Sequence, residues 1–178
     1  VGGAEVLHQL LRAAFEAVPR LGGGPVAGVN RDRDFESLAY DSATDTLYAF
    51  SGSCCNSTVL PTAFRLTRQG ANLQLDSYQP LPTGSDFTAS AWDPADGKLY
   101  VGVGSNSNIT ENGIAVEYRR ADVLEVDVAT GASRIFASGL RNPTGLQWKP
   151  ASGALWAIVN ERDEIGADLV PDYLTSVR

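Results

Sequence analysis

Two short polar runs hold the residues best equipped for chemistry. Gly139-Leu-Arg141-Asn142-Pro-Thr-Gly145 sets a cation beside an amide at the mouth of an apolar stretch. Asn160-Glu-Arg-Asp-Glu164 follows about twenty residues later, directly after the next apolar stretch. A guanidinium next to an amide offers several N–H donors to carboxylate or quinone oxygens, and a nearby acid is a ligand type for a hard cation. The competing reading is a set of solvated loop charges, and composition by itself favours that one.

Other chemistries are excluded by residue type. His8 is the only histidine, so no Ser-His-Asp, Cys-His or zinc arrangement can be assembled. Cys54 and Cys55 are adjacent and read equally well as two free thiols or as a vicinal disulfide. Gly102-Val-Gly104-Ser-Asn lacks the third glycine, the Lys-Ser/Thr pair and the following helix of a phosphate loop, so it is a strand end. Asp93-Pro-Ala-Asp-Gly97 resembles a calcium loop only superficially, because a hairpin turn accounts for each of its residues. Asn56-Ser-Thr58 and Asn108-Ile-Thr110 fit the glycosylation sequon, a pattern common by chance.

The elements that must position the two polar runs emerge from an internal repeat. Phe35–Phe50, Phe87–Gly102 and Pro143–Ile158 align, with an aromatic before a turn at Tyr40, Trp92 and Trp148 and another after it at Tyr48, Tyr100 and Trp156. Both sets are spaced by 52 and then 56 residues, the period of a β-propeller blade built from a four-stranded sheet. The three tryptophans sit at repeat positions, which points to packing rather than to sugar stacking. Each copy reads as a hairpin, with Asp or Gly where the turn needs positive φ. Leu99, Val101 and Val103 alternate with Tyr100, Gly102 and Gly104 along one strand. Further strands are predicted at 62–67, 73–78, 122–128 and 133–137.

The expected architecture is therefore all-β: blades at about 35–82 and 87–139, and a third from 140 to 178 cut short, making an incomplete propeller. Residues 1–30 read differently. Val6, Leu7, Leu10, Leu11, Ala14, Phe15 and Val18 have helical spacing, Pro19 ends it, and Gly22–Gly24 follow as a linker. With 178 residues, no methionine and Val1 at the start, the chain reads as a processed product or a fragment. Fourteen Lys and Arg against 21 Asp and Glu leave a formal charge of −7, which argues against nucleic acid because phosphate neutralisation needs a basic face. No apolar run approaches the roughly 20 residues of a transmembrane helix. Oligomeric state is left open.

From about Lys98 onward the chain resembles a known family. Gly104-Ser-Asn-Ser-Asn108, Glu111-Asn-Gly113, Glu125–Gly131, Arg134–Pro143 and Val159–Tyr173 are similar to the soluble quinoprotein glucose/sorbosone dehydrogenases. The resemblance implies a β-propeller, pyrroloquinoline quinone and calcium as cofactors, a small sugar or aldehyde as substrate, and a periplasmic or secreted location. It implies that Arg141 and Asn142 contact the quinone. It also implies that Asn160 lies near the cofactor, with Glu161 and Asp163 near the calcium. Family members carry a histidine as general base before the strand pair that leads into the Gly-Ser-Asn-Ser-Asn run, and here Asp86 stands at that place. A carboxylate, ordinarily near 3.9, is a weaker base than an imidazole near 6.5. An incomplete propeller also lacks the blades that would wall the cofactor and exclude water, so these 178 residues by themselves are expected not to turn over sugar. The alternative is a non-catalytic secreted propeller that binds a ligand or partner.

Overall fold

The computed structural model describes residues 35–51, 62–70, 72–80, 87–149, 151–166 and 169–177. The helix expected over 5–18, the glycine linker, Cys54 and Cys55, the sequon at Asn56, and Asp86 lie outside the described residues.

The chain forms three antiparallel sheets in succession. Strands β1 (Phe35–Asp41), β2 (Thr46–Ser51), β3 (Thr62–Gln69) and β4 (Asn72–Pro80) make the first, in sequence order. The second is β5 (Phe87–Asp93), β6 (Lys98–Val103), β7 (Asp122–Val126) and β8 (Ser133–Ser138). The third is β9 (Asn142–Lys149), β10 (Ala154–Asn160) and β11 (Tyr173–Val177). The first strand of each sheet packs on the first strand of the next, β1 on β5 and β5 on β9. Consecutive meanders stacked through their leading strands are the blades of a β-propeller, and the fold is nearly all β.

The turns follow from their residues. In the first hairpin the Asp41 carboxylate accepts from Ala43 N at 2.9 Å and Thr44 Oγ1 at 2.6 Å. In the second the Asp93 carboxylate accepts from Ala95 N at 2.8 Å, and Asp96 accepts from Lys98 N at 3.0 Å. Both acids of the would-be calcium loop therefore close a turn. Gly97 and Gly153 take φ values of +69° and +60°, where a side chain is strained. The first hairpin has Asp45 at the equivalent place, at φ +52°, held by Tyr40 Oη and Arg68 Nε at 2.7 and 3.0 Å.

Blade stacking gives strand β6 two buried faces. Leu99, Val101 and Val103 join Tyr48, Phe50, Phe87 and Leu124 between the first two blades. Tyr100 points the other way, into Val123, Leu146, Leu155, Ala157 and Val159 between the second and third. The predicted alternation is present, but neither face meets water. Gly102 marks the closest approach: a Cβ there would meet Pro143 O at 2.8 Å and Pro143 Cγ at 2.9 Å. That carbonyl accepts from Thr88 Oγ1 at 2.7 Å. The strand predicted over 122–128 stops at Val126, because the Asp127 carboxylate caps the amides of Ala129 and Thr130 at 3.0 Å each and starts a turn.

Candidate functional site

The polar residues gather at one end of the second and third blades, where β6 ends and β9 begins. Asn142 pairs with Asn160 across β9 and β10, and Pro143, next to Asn142, sits against Gly102. Ser105 N donates to Arg141 O at 2.8 Å and to Asn142 Oδ1 at 3.2 Å, fastening the connection after β6 to the start of β9. That connection, 104–121, contains a single 3₁₀ turn, Ile114–Glu117. The Glu117 carboxylate folds it back by accepting from Ser105 Oγ at 3.1 Å and Asn106 N at 3.0 Å.

Arg141 is the centre. One terminal nitrogen, Nη1, donates to Glu161 O at 2.6 Å and Asn160 Oδ1 at 3.3 Å. The other, Nη2, donates to Asn108 Oδ1 at 2.8 Å and Asp163 Oδ2 at 3.5 Å. A guanidinium has five N–H groups, so four are matched to protein oxygens. The fifth, on Nε, is buried and has no partner among the described residues. The side chain is only 13% exposed.

The remaining sequence-predicted residues take distinct places. Asn142 directs its Oδ1 at Ser105, which leaves its NH2 as the group to offer a ligand. Asn160 turns its NH2 onto Asp172, at 3.1 and 3.2 Å, and meets Arg141 through its oxygen. Asp172 also accepts from Glu161 N at 2.9 Å. That backbone bond first, then the Asn160 amide and the field of Arg141, holds the Asp172 carboxyl below the usual range. Glu161 leans toward Arg162 Nε at 3.8 Å, and the Asp163 side chain is 70% exposed.

Beside this hub lies a cleft of about 450 Å³ lined by Ser105, Asn108, Glu117, Arg120, Arg141 and Arg162. Three guanidiniums face two carboxylates, Glu117 and Glu161, across this cleft, which leaves a modest positive excess of the sign a planar polyanion such as pyrroloquinoline quinone needs. Calcium fits less well. Among the described residues no group of three or more His, Cys, Asp or Glu is placed to hold a metal. The Glu161 carbonyl already faces a guanidinium, and the exposed Asp163 carboxylate falls far short of the 6–8 oxygens calcium takes. The described residues do not by themselves complete a calcium cage.

Two residues of the hub, Asn108 and Asp172, were given no role at this site from the sequence, although Asn108 ends the Gly104–Asn108 run and opens a sequon. Asn108 stands in the connection after β6 and Asp172 in the connection after β10 that also holds Glu161 and Asp163, and both are short polar residues with capacity to bond backbone. That signal exists in any loop, so it does not single them out.

No family model matches the chain, and no curated protein does. Among solved structures it is similar to a calcium structure of a Carbohydrate-Active Enzymes Family AA12 protein of Trichoderma reesei, with TM-score 0.61 and 16% identity over 83% of this chain and 40% of that one. It is similar to the holo form of the PQQ domain of pyranose dehydrogenase from Coprinopsis cinerea, with TM-score 0.57 and 18% identity over 82% and 38%. A third is a putative oxidoreductase (glucose dehydrogenase) of Thermus thermophilus, with TM-score 0.55 and 21% identity over 83% and 49%. The chain thus spans less than half the length of each of these proteins. At such identities what is shared is the fold: a run of β-propeller blades.

Proposed function

We propose that the chain is part of a quinone-dependent sugar or aldehyde dehydrogenase, with residues 31–178 as its propeller portion and 1–30 as a separate segment. One observation carries this reading. Three of the five segments that resemble the quinoprotein family, those holding Asn108, Arg141 and Asn160, come from separate loops and converge on one guanidinium at one blade end. The fold shared with a PQQ domain and with glucose dehydrogenases supports it.

When bound, pyrroloquinoline quinone supplies the two-electron acceptor, and the protein supplies binding, orientation and electrostatics. Arg120, Arg141 and Arg162 outweigh Glu117 and Glu161 in the cleft and set its sign for a polyanion, and Asn142 offers its amide NH2. Asn160 acts through Arg141 rather than on the ligand. Removal of the sugar hydroxyl proton falls to Asp86 by its place in the resemblance. Calcium enters only by resemblance, with Glu161 and Asp163 as its nearest acids. Export to the periplasm or beyond belongs to the same proposal. No helix among the described residues is long and apolar enough to cross a membrane.

A second reading, a non-catalytic exported propeller that binds a ligand or partner, draws on the four Arg141 N–H groups already matched within the protein. Titration of the whole protein that carries this chain with pyrroloquinoline quinone, with and without calcium, separates the two. Saturable quenching of tryptophan fluorescence that vanishes in Arg141→Ala is the expected result. A folded protein that shows no binding overturns the dehydrogenase reading and leaves the second.

A further inference from the structure

Arg141 is tied at its backbone to the loop after β6, and its guanidinium is aimed by a side chain of that same loop. Asn108 Oδ1 accepts from Arg141 Nη2 and from Asp163 N, each at 2.8 Å. Its Nδ2 donates to Asp163 O, also at 2.8 Å. The paired bonds to Asp163 reproduce the reciprocal N–H and C=O exchange of a β-bridge, made here by one side chain. Only an amide of this reach does both: aspartate lacks the donor, serine is too short to exchange both bonds, and glutamine adds a methylene. Asn108 is in turn fixed from both sides. Glu117 holds the amide of Asn106, and the Glu111 carboxylate accepts from Ile109 N at 2.7 Å.

Charge gives the arrangement its point. The acid within reach of the guanidinium, Asp163, is exposed and sits at 3.5 Å, whereas the short bond to Nη2 comes from a neutral amide. A neutral acceptor fixes a guanidinium without cancelling the charge that an anionic ligand needs.

We propose that Asn108 is the positioning residue of this site: its amide locks the Arg141 guanidinium and the 161–163 backbone into one arrangement while leaving the cation's charge available to an anionic cofactor. The part of this that concerns an anionic cofactor rests on the quinone reading above. The locking does not.

The test therefore has two readouts, the first on the 178-residue chain and the second on the whole protein that carries it. The first is free of any cofactor: the phenylglyoxal labelling rate of Arg141 against that of Arg134, which is 63% exposed, together with exchange of the Asp163 amide. In the wild type Arg141 labels about tenfold more slowly and the Asp163 amide is protected. Asn108→Ser abolishes both effects. Asn108→Asp, which keeps the acceptor, retains the slow labelling. The second readout is pyrroloquinoline quinone affinity, expected to weaken about tenfold or more in both variants, through lost order in Asn108→Ser and through neutralised charge in Asn108→Asp. Rapid labelling of Arg141 or unprotected exchange of Asp163 in the wild type overturns the proposal without recourse to any variant. So does unchanged labelling in Asn108→Ser, or full cofactor affinity in Asn108→Asp. If the wild type binds no quinone while the labelling pattern holds, the quinone reading fails and the locking role of Asn108 stands.

Discussion

The ring of Tyr100 stands edge-on against the indole of Trp148, with centroids 5.0 Å apart and planes at 80°. One repeat earlier, Tyr48 stacks on Trp92 at 5.4 Å and 17°. The aromatic after the turn in one blade thus meets the aromatic before the turn in the next. The two anchors of the repeat are halves of an inter-blade contact rather than partners within a blade.

Trp148 consequently links blades as well as filling space. Trp148→Ala is expected to cost about 2–4 kcal/mol in chemical denaturation, somewhat under the range for a fully buried ring. Its indole N–H is buried without a partner among the described residues, so Trp148→Phe removes an unmet donor together with some area and should cost less than about 1.5 kcal/mol. Tyr118→Ala, at a residue 77% exposed, should change stability by less than about 0.5 kcal/mol. A Trp148→Ala cost as small as that of Tyr118→Ala would remove the contact from the account of blade cohesion.

Gly102→Ala places a methyl 2.8 Å from a backbone carbonyl, so the second and third blades must separate or shift. The expected loss is about 1–3 kcal/mol, with a drop in melting temperature and faster labelling of Arg141. Gly145→Ala is the control. Its Cβ would meet the flexible end of Ile158 at 3.2 Å, and the cost should be smaller.

Glu125 gives stability a pH dependence. Its carboxylate bonds Lys98 Nζ at 2.8 Å, Arg134 and Tyr100 Oη, the last at 3.4 Å, with only 7% of its side chain exposed. The Lys98 hydrogen bond chiefly, with help from Arg134, lowers its pKa against the opposing effect of burial. A folded pKa below the unfolded one stabilises the fold above the ordinary glutamate range near 4.3, and that stability is lost as pH falls through the folded value. Urea midpoints measured from pH 7 down to 3 should therefore decline more steeply for wild type than for Glu125→Gln. At pH 7 the variant should be about 1–2 kcal/mol less stable. Parallel pH profiles would show that Glu125 is not the titrating group.

Asp86→His tests the base position in the whole protein that carries this chain. With cofactor bound, an imidazole at that place should raise sugar oxidation by a factor of about 10 or more, a part of the roughly 10²–10⁴ that a full general base supplies. No gain with cofactor still bound places the base elsewhere.

The blades were legible in the amino-acid order. A period near 52 residues, turn residues at matching offsets and strict alternation are local properties, and a strand's two-residue period leaves little freedom once one face is apolar. Ala39 and Tyr40 accordingly pair with Tyr48 and Leu47 of their own hairpin. The amino-acid order also marked the two polar runs, because Arg141, Asn142 and Asn160 are polar residues at strand ends. What it did not contain was their mutual arrangement. Asn108 lies 33 residues from Arg141 and 55 from Asp163, and only the stacking of one blade on the next brings the three together. The same stacking decided that both faces of β6 are buried, and that the Glu125 side of β7, alternating with Leu124 and Val126, is closed off from solvent. Alternation tells which residues share a face. Whether that face meets water or another blade depends on contacts between segments about fifty residues apart, and no local pattern encodes those.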